Sequence, residues 1–413
     1  MIRKPAAALA VICAVLLCSG IIYAWGVIAA PIAAHLQAVT GVPHSAASVS
    51  PAFGLSFFGS SVGIFLSGML ASRFGCRFSL VVAALLVFTG YLGAVSSPSL
   101  VFLVLSYGLV FGAGSGIGFG TCVATAVGLF PARRGLTSGL TSMSWGLSAA
   151  PMAVVAAVLV EDFGVEKGAL ALAGFVACAM LAGALLLAPR YEPAQDKPGA
   201  TRRNPALATR LQEEIPWHRM LRTADFYLMF GTLALTWMGA LMIFSQGAVL
   251  AIDQLKVDAR QAALFVSVLA VSGTFARVVG GAASDRFGRI PTLLASVSAM
   301  LAGLACLAAS REGSTALFAL GCVAVGLTYG TYCGVYPSFV ADRFGPRELA
   351  RNYGFFNLSG ALAGFAGPAL VALSSPEEHY ALAYAAAGAC ALASAGLCCV
   401  LLIRNRKRNA GNG

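Results

Sequence analysis

The chain has 413 residues, of which 59% are hydrophobic and only 10% charged, and its formal net charge is +11. A soluble globular domain carries about 25% charged residues, and no soluble fold of this length can hide so much apolar surface. Composition therefore excludes a soluble protein and leaves room for many membrane crossings of about 20 residues each.

Taken in chain order, twelve apolar segments cover roughly 6–30, 51–71, 78–96, 99–123, 135–160, 168–188, 224–251, 261–283, 290–309, 314–340, 350–374 and 379–403. Helices are expected, because lipid offers no water to satisfy backbone groups. A β-barrel would instead show alternating segments of about 10 residues. The first segment follows Arg3-Lys4, but its apolar run extends well past the 7–15 residues of a signal-peptide core, so it reads as a retained span.

The positive charge is distributed as a membrane topology, not as a nucleic-acid footprint. With twelve spans, 22 of the 27 Lys and Arg residues fall on the side of the N-terminus, four on the opposite side and one inside a span. The basic side is expected to be cytoplasmic, with both termini on it. The acids split evenly between the two sides. Ten of the eleven cysteines lie in or at the ends of apolar segments, where they read as small packing residues, and no Cys/His spacing suggests a metal. The longest polar interval, 189–223, contains Arg202-Arg203, Glu213-Glu214 and a possible amphipathic piece over 206–214. It divides six spans from six, which gives an N-terminal bundle over 1–188, a cytoplasmic linker over 189–223 and a C-terminal bundle over 224–413.

One charge cannot be placed in a loop or at a helix end. Arg277 lies inside the eighth apolar segment, eight residues before Asp285. At about 1.5 Å per residue it is roughly 12 Å deep. A charge at such depth costs at least about 2.5–3.5 kcal/mol on insertion scales, and it usually faces a pathway. With no acid at the same depth, the expected partner is an anionic substrate. Gly273, Thr274, Gly280, Gly281 and Ser284 share its face and are expected to leave space beside the guanidinium, whose planar fork suits a carboxylate.

The two halves echo each other. Gly68-x-x-x-Ser72-Arg73-Phe74-Gly75 falls between spans two and three, and Gly281-x-x-x-Asp285-Arg286-Phe287-Gly288-Arg289 between spans eight and nine, 213 residues later. A repeat at corresponding positions of a six-plus-six arrangement is the pattern of one large transporter class. These loops resemble the signature of the major facilitator superfamily, and the resemblance covers about residues 6–403. It implies an all-α membrane fold of twelve transmembrane helices in two six-helix bundles. It also implies a conformational latch made of Gly68, Arg73, Gly75, Arg77, Asp285, Arg286, Gly288 and Arg289. The first copy departs from the signature in having Ser72 where an acid is usual.

A finer resemblance rests on Tyr23-Ala24-Trp25 in span one, the run Leu129-Phe130-Pro131-Ala132-Arg133-Arg134-Gly135 opening span five, and Arg277 shortly before Ser284-Asp285-Arg286-Phe287-Gly288-Arg289. Together these look like the oxalate:formate antiporter branch, which is close to the monocarboxylate transporters. Arg277 falls where those families carry a substrate-binding arginine. The oxalate:formate antiporter itself has a second cation, a lysine, in span eleven. Here that span reads Asn357-Leu358-Ser359-Gly360 and onward without a lysine, and Gly360 aligns near the position.

Further candidates for the substrate site are Tyr329 and Tyr332, which share a face of span ten with Tyr336, together with Tyr23, Trp25, Trp145, Gln246 and Asn357. Gly112, Gly116 and Gly120 in span four form a repeated small-residue face for close helix contact. Tyr107 lies where proton-coupled drug exporters of the superfamily carry an arginine. No span holds an Asp, Glu, Lys or His at mid-depth; His35, His44, His218 and His379 all lie in loops or at span ends. No nucleophile-base pair, metal cluster or phosphate-binding loop is legible, so neither catalysis nor a cofactor is expected.

The expected function is secondary active transport of small organic anions, foremost monocarboxylates such as lactate, pyruvate or formate, by alternating access. The carboxylate would dock on Arg277 at the interface of the two bundles. The alternatives are an oxalate/formate-type anion antiporter, a drug or metabolite exporter, and a transporter-like sensor or channel. The expected partners are the carboxylate, protons if transport is coupled, and the lipid bilayer, with no nucleic acid. The protein is expected to be a monomer in a plasma membrane, the bacterial inner membrane foremost.

Overall fold

The computed structural model of the chain describes residues 4–187, 214–371 and 380–410. Its elements are α1 (Pro5–Ser19), a 3₁₀ turn (Ile21–Ala24), α2 (Trp25–Thr40), α3 (Ala46–Val49), α4 (Pro51–Val95), α5 (Leu100–Leu105), a π-helical stretch (Ser106–Phe111), α6 (Gly112–Leu129), α7 (Arg134–Leu147), α8 (Ala149–Leu186), α9 (Trp217–Met220), α10 (Ala224–Leu255), α11 (Ala259–Phe287), α12 (Arg289–Ala309), α13 (Thr315–Phe344), α14 (Leu349–Val371) and α15 (Ala381–Ala410). Most of the 189–223 interval, including 206–213, lies outside the described residues, as does His379.

Eight helical runs among the described residues are long and apolar enough to cross a membrane. Two of them fold back on themselves. Within α4, Gly75 takes φ 87° and ψ 167°, and within α8, Gly164 takes φ 77° and ψ 169°. These left-handed conformations are cheap only for glycine. Each converts one helical run into two crossings: spans two and three around Gly75, and spans five and six around Gly164. With α1 and α2 as span one and α14 as span eleven, the chain has twelve crossings. Large apolar side chains such as Val101, Leu185, Phe275 and Val279 stay exposed along them, as surfaces that face lipid should.

Span one differs from its expected 6–30. It breaks at Gly20 and continues through α2 to Thr40. A Cβ at Gly20 would fall on the Trp145 carbonyl and lie 2.7 Å from Ser148 Cβ. The Gly20 N–H donates instead to Ser148 Oγ at 3.0 Å. The break thus lets span one close on span five while its freed backbone donor stays satisfied.

Local sequence sets the helix starts. Ser99, Thr223 and Asp258 cap α5, α10 and α11 by accepting the N–H of Phe102 at 3.3 Å, Phe226 at 3.2 Å and Gln261 at 2.7 Å. Lys256 in the left-handed region ends α10.

The chain forms two compact units. One comprises Met1–Ala132, Thr141–Trp217 and Val340–Leu358; the other comprises Arg133–Leu140, His218–Phe339 and Ser359–Gly413. In the first unit the glycine face of span four meets span two as its spacing predicts. A Cβ at Gly112 would lie 2.7 Å from the Ser56 carbonyl, one at Gly116 would fall on Ser60, and one at Gly120 would lie 3.1 Å from Ile64 Cα. Contacts at intervals of four residues on both helices are the mark of close small-residue packing. In the second unit, tyrosine hydroxyls tie span ten to its neighbours: Tyr336 donates to the Met229 carbonyl at 2.8 Å and also contacts Thr232 Oγ1, while Tyr332 reaches Ser394.

Candidate functional site

Arg277 stands in the middle of α11, and its side chain is buried, with the residue 7% exposed. Its backbone lies between two other helices of the second unit. A Cβ at Gly139 on α7 would strike the Arg277 carbonyl, and one at Gly334 on α13 would lie 2.9 Å from Arg277 Cα. Glycine is required at both places to bring α7 and α13 this close. The small residues that share the Arg277 face are used in the same way. A Cβ at Gly280 would lie 2.8 Å from the Thr331 side chain, one at Gly281 would strike the Gly135 carbonyl, and one at Gly330 would strike the Gly273 carbonyl. For the three glycines, the expectation that they leave space beside the guanidinium is corrected: they are spent on helix contact, because α7 and α13 occupy that surface.

The groups gathered near Arg277 come from spans seven and ten. Cys333 sits in the field of the guanidinium and hydrogen-bonds to Tyr329. The Tyr329 ring lies 4.8 Å from Phe244 and 5.6 Å from Trp237 between centroids. Phe244 in turn reaches the site of Gly273, one turn from Arg277, at 3.8 Å from a built Cβ. A cation, a thiol, a phenol and two further aromatic rings can together hold a small anion with an apolar body: the guanidinium takes the charge and the rings exclude water.

Tyr332 is not in this cluster. Its ring stacks on Tyr336 at 5.6 Å, and its hydroxyl reaches Ser394 at 3.4 Å, so it joins α13 to α15. Gln246 is half-buried on α10, and its nine-residue offset puts it about 180° around the helix from Trp237. In the first unit, Trp25 is buried with its ring 4.3 Å from Tyr107, which belongs to the π-helical stretch. Trp145 packs on Phe119 at 4.9 Å. Asn357 donates to Ser61 Oγ on α4 at 2.9 Å. Only the backbone of Tyr23 is described, in the turn Ile21–Ala24.

The repeated motif takes the same shape twice. Gly288 has φ 94° and ψ 155°, close to the angles of Gly75. Arg73 lies over the Phe74 ring at 5.3 Å and Arg286 over the Phe287 ring at 5.4 Å. Arg77 donates to the Leu187 carbonyl at 2.8 Å and the Leu185 carbonyl at 3.1 Å, which closes the end of span six. The acid position differs between the copies. Asp285 accepts the N–H groups of Gly135 at 2.9 Å and Leu136 at 2.8 Å, in the first turn of α7, and pairs with Arg289 at 2.7 Å. Ser72 accepts instead from Arg351 at 2.6 Å, and Gly68 approaches Arg351 and Ala350 at the start of α14.

The carboxylate at the start of α14 comes from Glu214, at the end of the 189–223 interval. It accepts the N–H of Arg347 at 3.2 Å and is hydrogen-bonded by the backbone of Glu348. A Cβ at Gly345 would collide with it, and Gly345, at φ 98°, turns the chain there. The Ile215 N–H donates to the Phe344 carbonyl at 2.9 Å, Asn352 donates to the Ile215 carbonyl at 2.9 Å, and Trp217 stacks on Phe355 at 5.7 Å. Burial pushes the Glu214 carboxyl above the usual carboxylate range, against the lowering effect of its backbone donors. Sequence reasoning did not find Glu214, because nothing in the local pattern says where a linker end will dock. Trp237 was also missed, although it follows Trp25 by 212 residues, nearly the offset of the repeated motif.

The family model of the Major Facilitator Superfamily matches residues 10–368. The oxalate:formate antiporter of Oxalobacter formigenes is 29% identical over 374 residues, covering 87% of this chain and 82% of that protein. An uncharacterised MFS-type transporter of Escherichia coli (strain K12) is 28% identical, covering 82% and 80%. Monocarboxylate transporter 13 of Bos taurus is also 28% identical, covering 82% and 76%. Among solved structures, the human organic anion transporter MFSD10 aligns with a TM-score of 0.69 at 13% identity over 96% of this chain and 100% of that one. The proton:xylose symporter XylE aligns with a TM-score of 0.66 at 18% identity over 94% and 95%. At these identities the solved structures speak for the fold. Twelve crossings, a turn motif repeated with the same backbone angles and a family match over most of the length agree: the chain belongs to the major facilitator superfamily, a multi-pass membrane protein of a family of transporters rather than enzymes.

Proposed function

We propose that the protein is a secondary active transporter of small organic monoanions, with Arg277 as the anchor for the substrate carboxylate. The observation that carries this reading is a charged side chain buried within a helix beside Cys333, which hydrogen-bonds to Tyr329, whose ring in turn meets Trp237 and Phe244. Arg277 is the only Lys or Arg in the interior of an apolar segment; Arg351 lies at the first turn of the eleventh, where it is engaged by Glu348 and Ser72. A dianion would therefore bring a second carboxylate into a low-dielectric site without a charge partner. Lactate, pyruvate and formate fit the charge; oxalate and succinate do not.

Transport proceeds by alternating access. Asp285 on the start of α7, and Arg351 with Ser72 and Glu214 at the start of α14, act as the latch of one conformation. The excess of Lys and Arg on the side of the termini supports a cytoplasmic latch. The relative that exchanges oxalate and formate favours a second reading, an anion antiporter. Counterflow in proteoliposomes with a panel of carboxylates separates them. Monocarboxylates should outcompete oxalate and succinate, whereas a clear preference for oxalate would establish the antiporter reading.

A further inference from the structure

Trp237 lies on α10 one side of Tyr329, with Phe244 two turns further along the same face. Its residue is 6% exposed, and its indole Nε1 has no hydrogen-bond partner among the described residues. The ring is fixed from behind. A Cβ at Gly360 on α14 would lie 2.7 Å from Cζ3 and 3.2 Å from Cε3 of the indole. Those atoms belong to the benzo edge, opposite Nε1, so α14 closes on one edge and leaves the N–H on the other. Tyr329 lies 5.6 Å away at 45° and connects the indole through Cys333 to the surroundings of Arg277.

A buried donor without an acceptor is costly, and buried indole N–H groups usually find a partner. A phenylalanine would fill most of this volume without that penalty. The feature also recurs in the other half. Trp25, 212 residues earlier, is 5% exposed, its Nε1 also has no partner among the described residues, and it packs on a span-four tyrosine, Tyr107, at 4.3 Å and 44°. Spans one and four thus hold the same tryptophan-tyrosine pair as spans seven and ten. Recurrence of the tryptophan at nearly the repeat offset, in each half against a tyrosine, argues against a packing accident.

We infer that Trp237 is a specificity-determining residue of the transport site, whose indole N–H donates to an oxygen of the bound carboxylate. The inference rests on the reading of Arg277 as the anion anchor and extends it. A neutral donor steadies the oxygens of a monoanion without compensating a second negative charge, which narrows the site to monocarboxylates. Gly360 is the positioning residue, because any side chain there would displace the ring.

The test is counterflow of pyruvate and lactate in proteoliposomes for wild type, Trp237→Phe, Trp237→His and Arg277→Ala, with a melting temperature for each purified protein. Losing a hydrogen bond to a charged group should raise the KM of Trp237→Phe roughly ten- to hundredfold, with maximal rate and melting temperature near wild type. Trp237→His, which keeps a ring N–H, should recover part of the loss. A benzothiophene isostere at position 237, with sulfur in place of N–H and the same shape, should reproduce the Trp237→Phe defect even if that variant folds poorly. A lower melting temperature with unchanged KM in the Phe and isostere proteins would assign the ring to packing and overturn the inference. A raised KM at position 237 together with normal transport by Arg277→Ala would keep the indole donor and overturn the arginine anchor.

Discussion

The carboxylate of Asp285 accepts the backbone N–H of Gly135 at 2.9 Å across 150 residues of sequence. Its second oxygen takes the N–H of Leu136, so one side chain satisfies two of the donors that the first turn of α7 leaves open. The negative charge also lies at the positive end of the helix dipole, where it is stabilising. Asp285→Ala should lose a cap worth about 1 kcal/mol and slow counterflow severalfold. Asp285→Asn keeps one acceptor oxygen and should fall between the two. Neither should move the pH optimum. An Asp285→Asn protein with intact counterflow and no pH-driven accumulation would show instead that Asp285 carries the transported proton.

Glu214 supplies the corresponding carboxylate at α14, and its protonation has a definite sign. Burial raises its carboxyl above the ordinary value of 4.5 when it is docked, so the docked state holds the proton more tightly than the undocked one. Docking is therefore favoured at low pH and loses that contribution as pH rises from 4.5 through the docked value. At neutral pH, Glu214→Gln keeps an acceptor for Arg347 and removes the desolvated charge, so it should dock at least as well as wild type. Glu214→Ala leaves the Arg347 and Glu348 donors without this acceptor and should dock less well. Limited proteolysis after Arg210 or Arg219, compared across the three proteins and across pH, measures the difference. Equal cleavage of Glu214→Ala and wild type would remove Glu214 from the latch.

Gly75 and Gly288 require a left-handed backbone, at φ 87° and φ 94°. An alanine at either position should cost about 1–3 kcal/mol in backbone strain. Space is not the obstacle at Gly288, where a built Cβ would come no closer than 3.6 Å to Pro291. Both variants should therefore insert, melt several degrees lower in detergent, and retain substrate affinity. An unchanged melting temperature in both would mean that the turns relax freely.

Much of this was legible because lipid simplifies the physics. Backbone groups must be paired within helices, so apolar length and the two glycine-marked repeats give the crossings and their order. Arg277 stood out for the same reason, since a mid-span charge is expensive. Period alone put Tyr332 beside Tyr329, but three residues of helix are enough to turn Tyr332 toward α15 and Ser394. The glycines around Arg277 could be read as space or as contact, and only the position of α7 and α13 decides. Glu214 and Gly360 act through partners more than 120 residues away, and no local pattern encodes such pairings.

Topology gives an independent check. With the basic residues inside, tags at either terminus and within 189–223 should be reachable only from the cytoplasm, and tags near Ser97 or Glu377 only from outside. External labelling of the 189–223 interval would contradict the six-plus-six arrangement and the orientation together.

Counterflow by Arg277 variants tests the central claim most directly. Removing one partner of a buried, hydrogen-bonded charge pair costs about 2–5 kcal/mol, so Arg277→Ala should abolish carboxylate transport in a protein that inserts and melts like wild type. Arg277→Lys should also be poor, because an ammonium cannot offer the planar fork. Loss of pyruvate and lactate counterflow in both variants is the result this account predicts; wild-type uptake by a well-folded Arg277→Ala protein would contradict it.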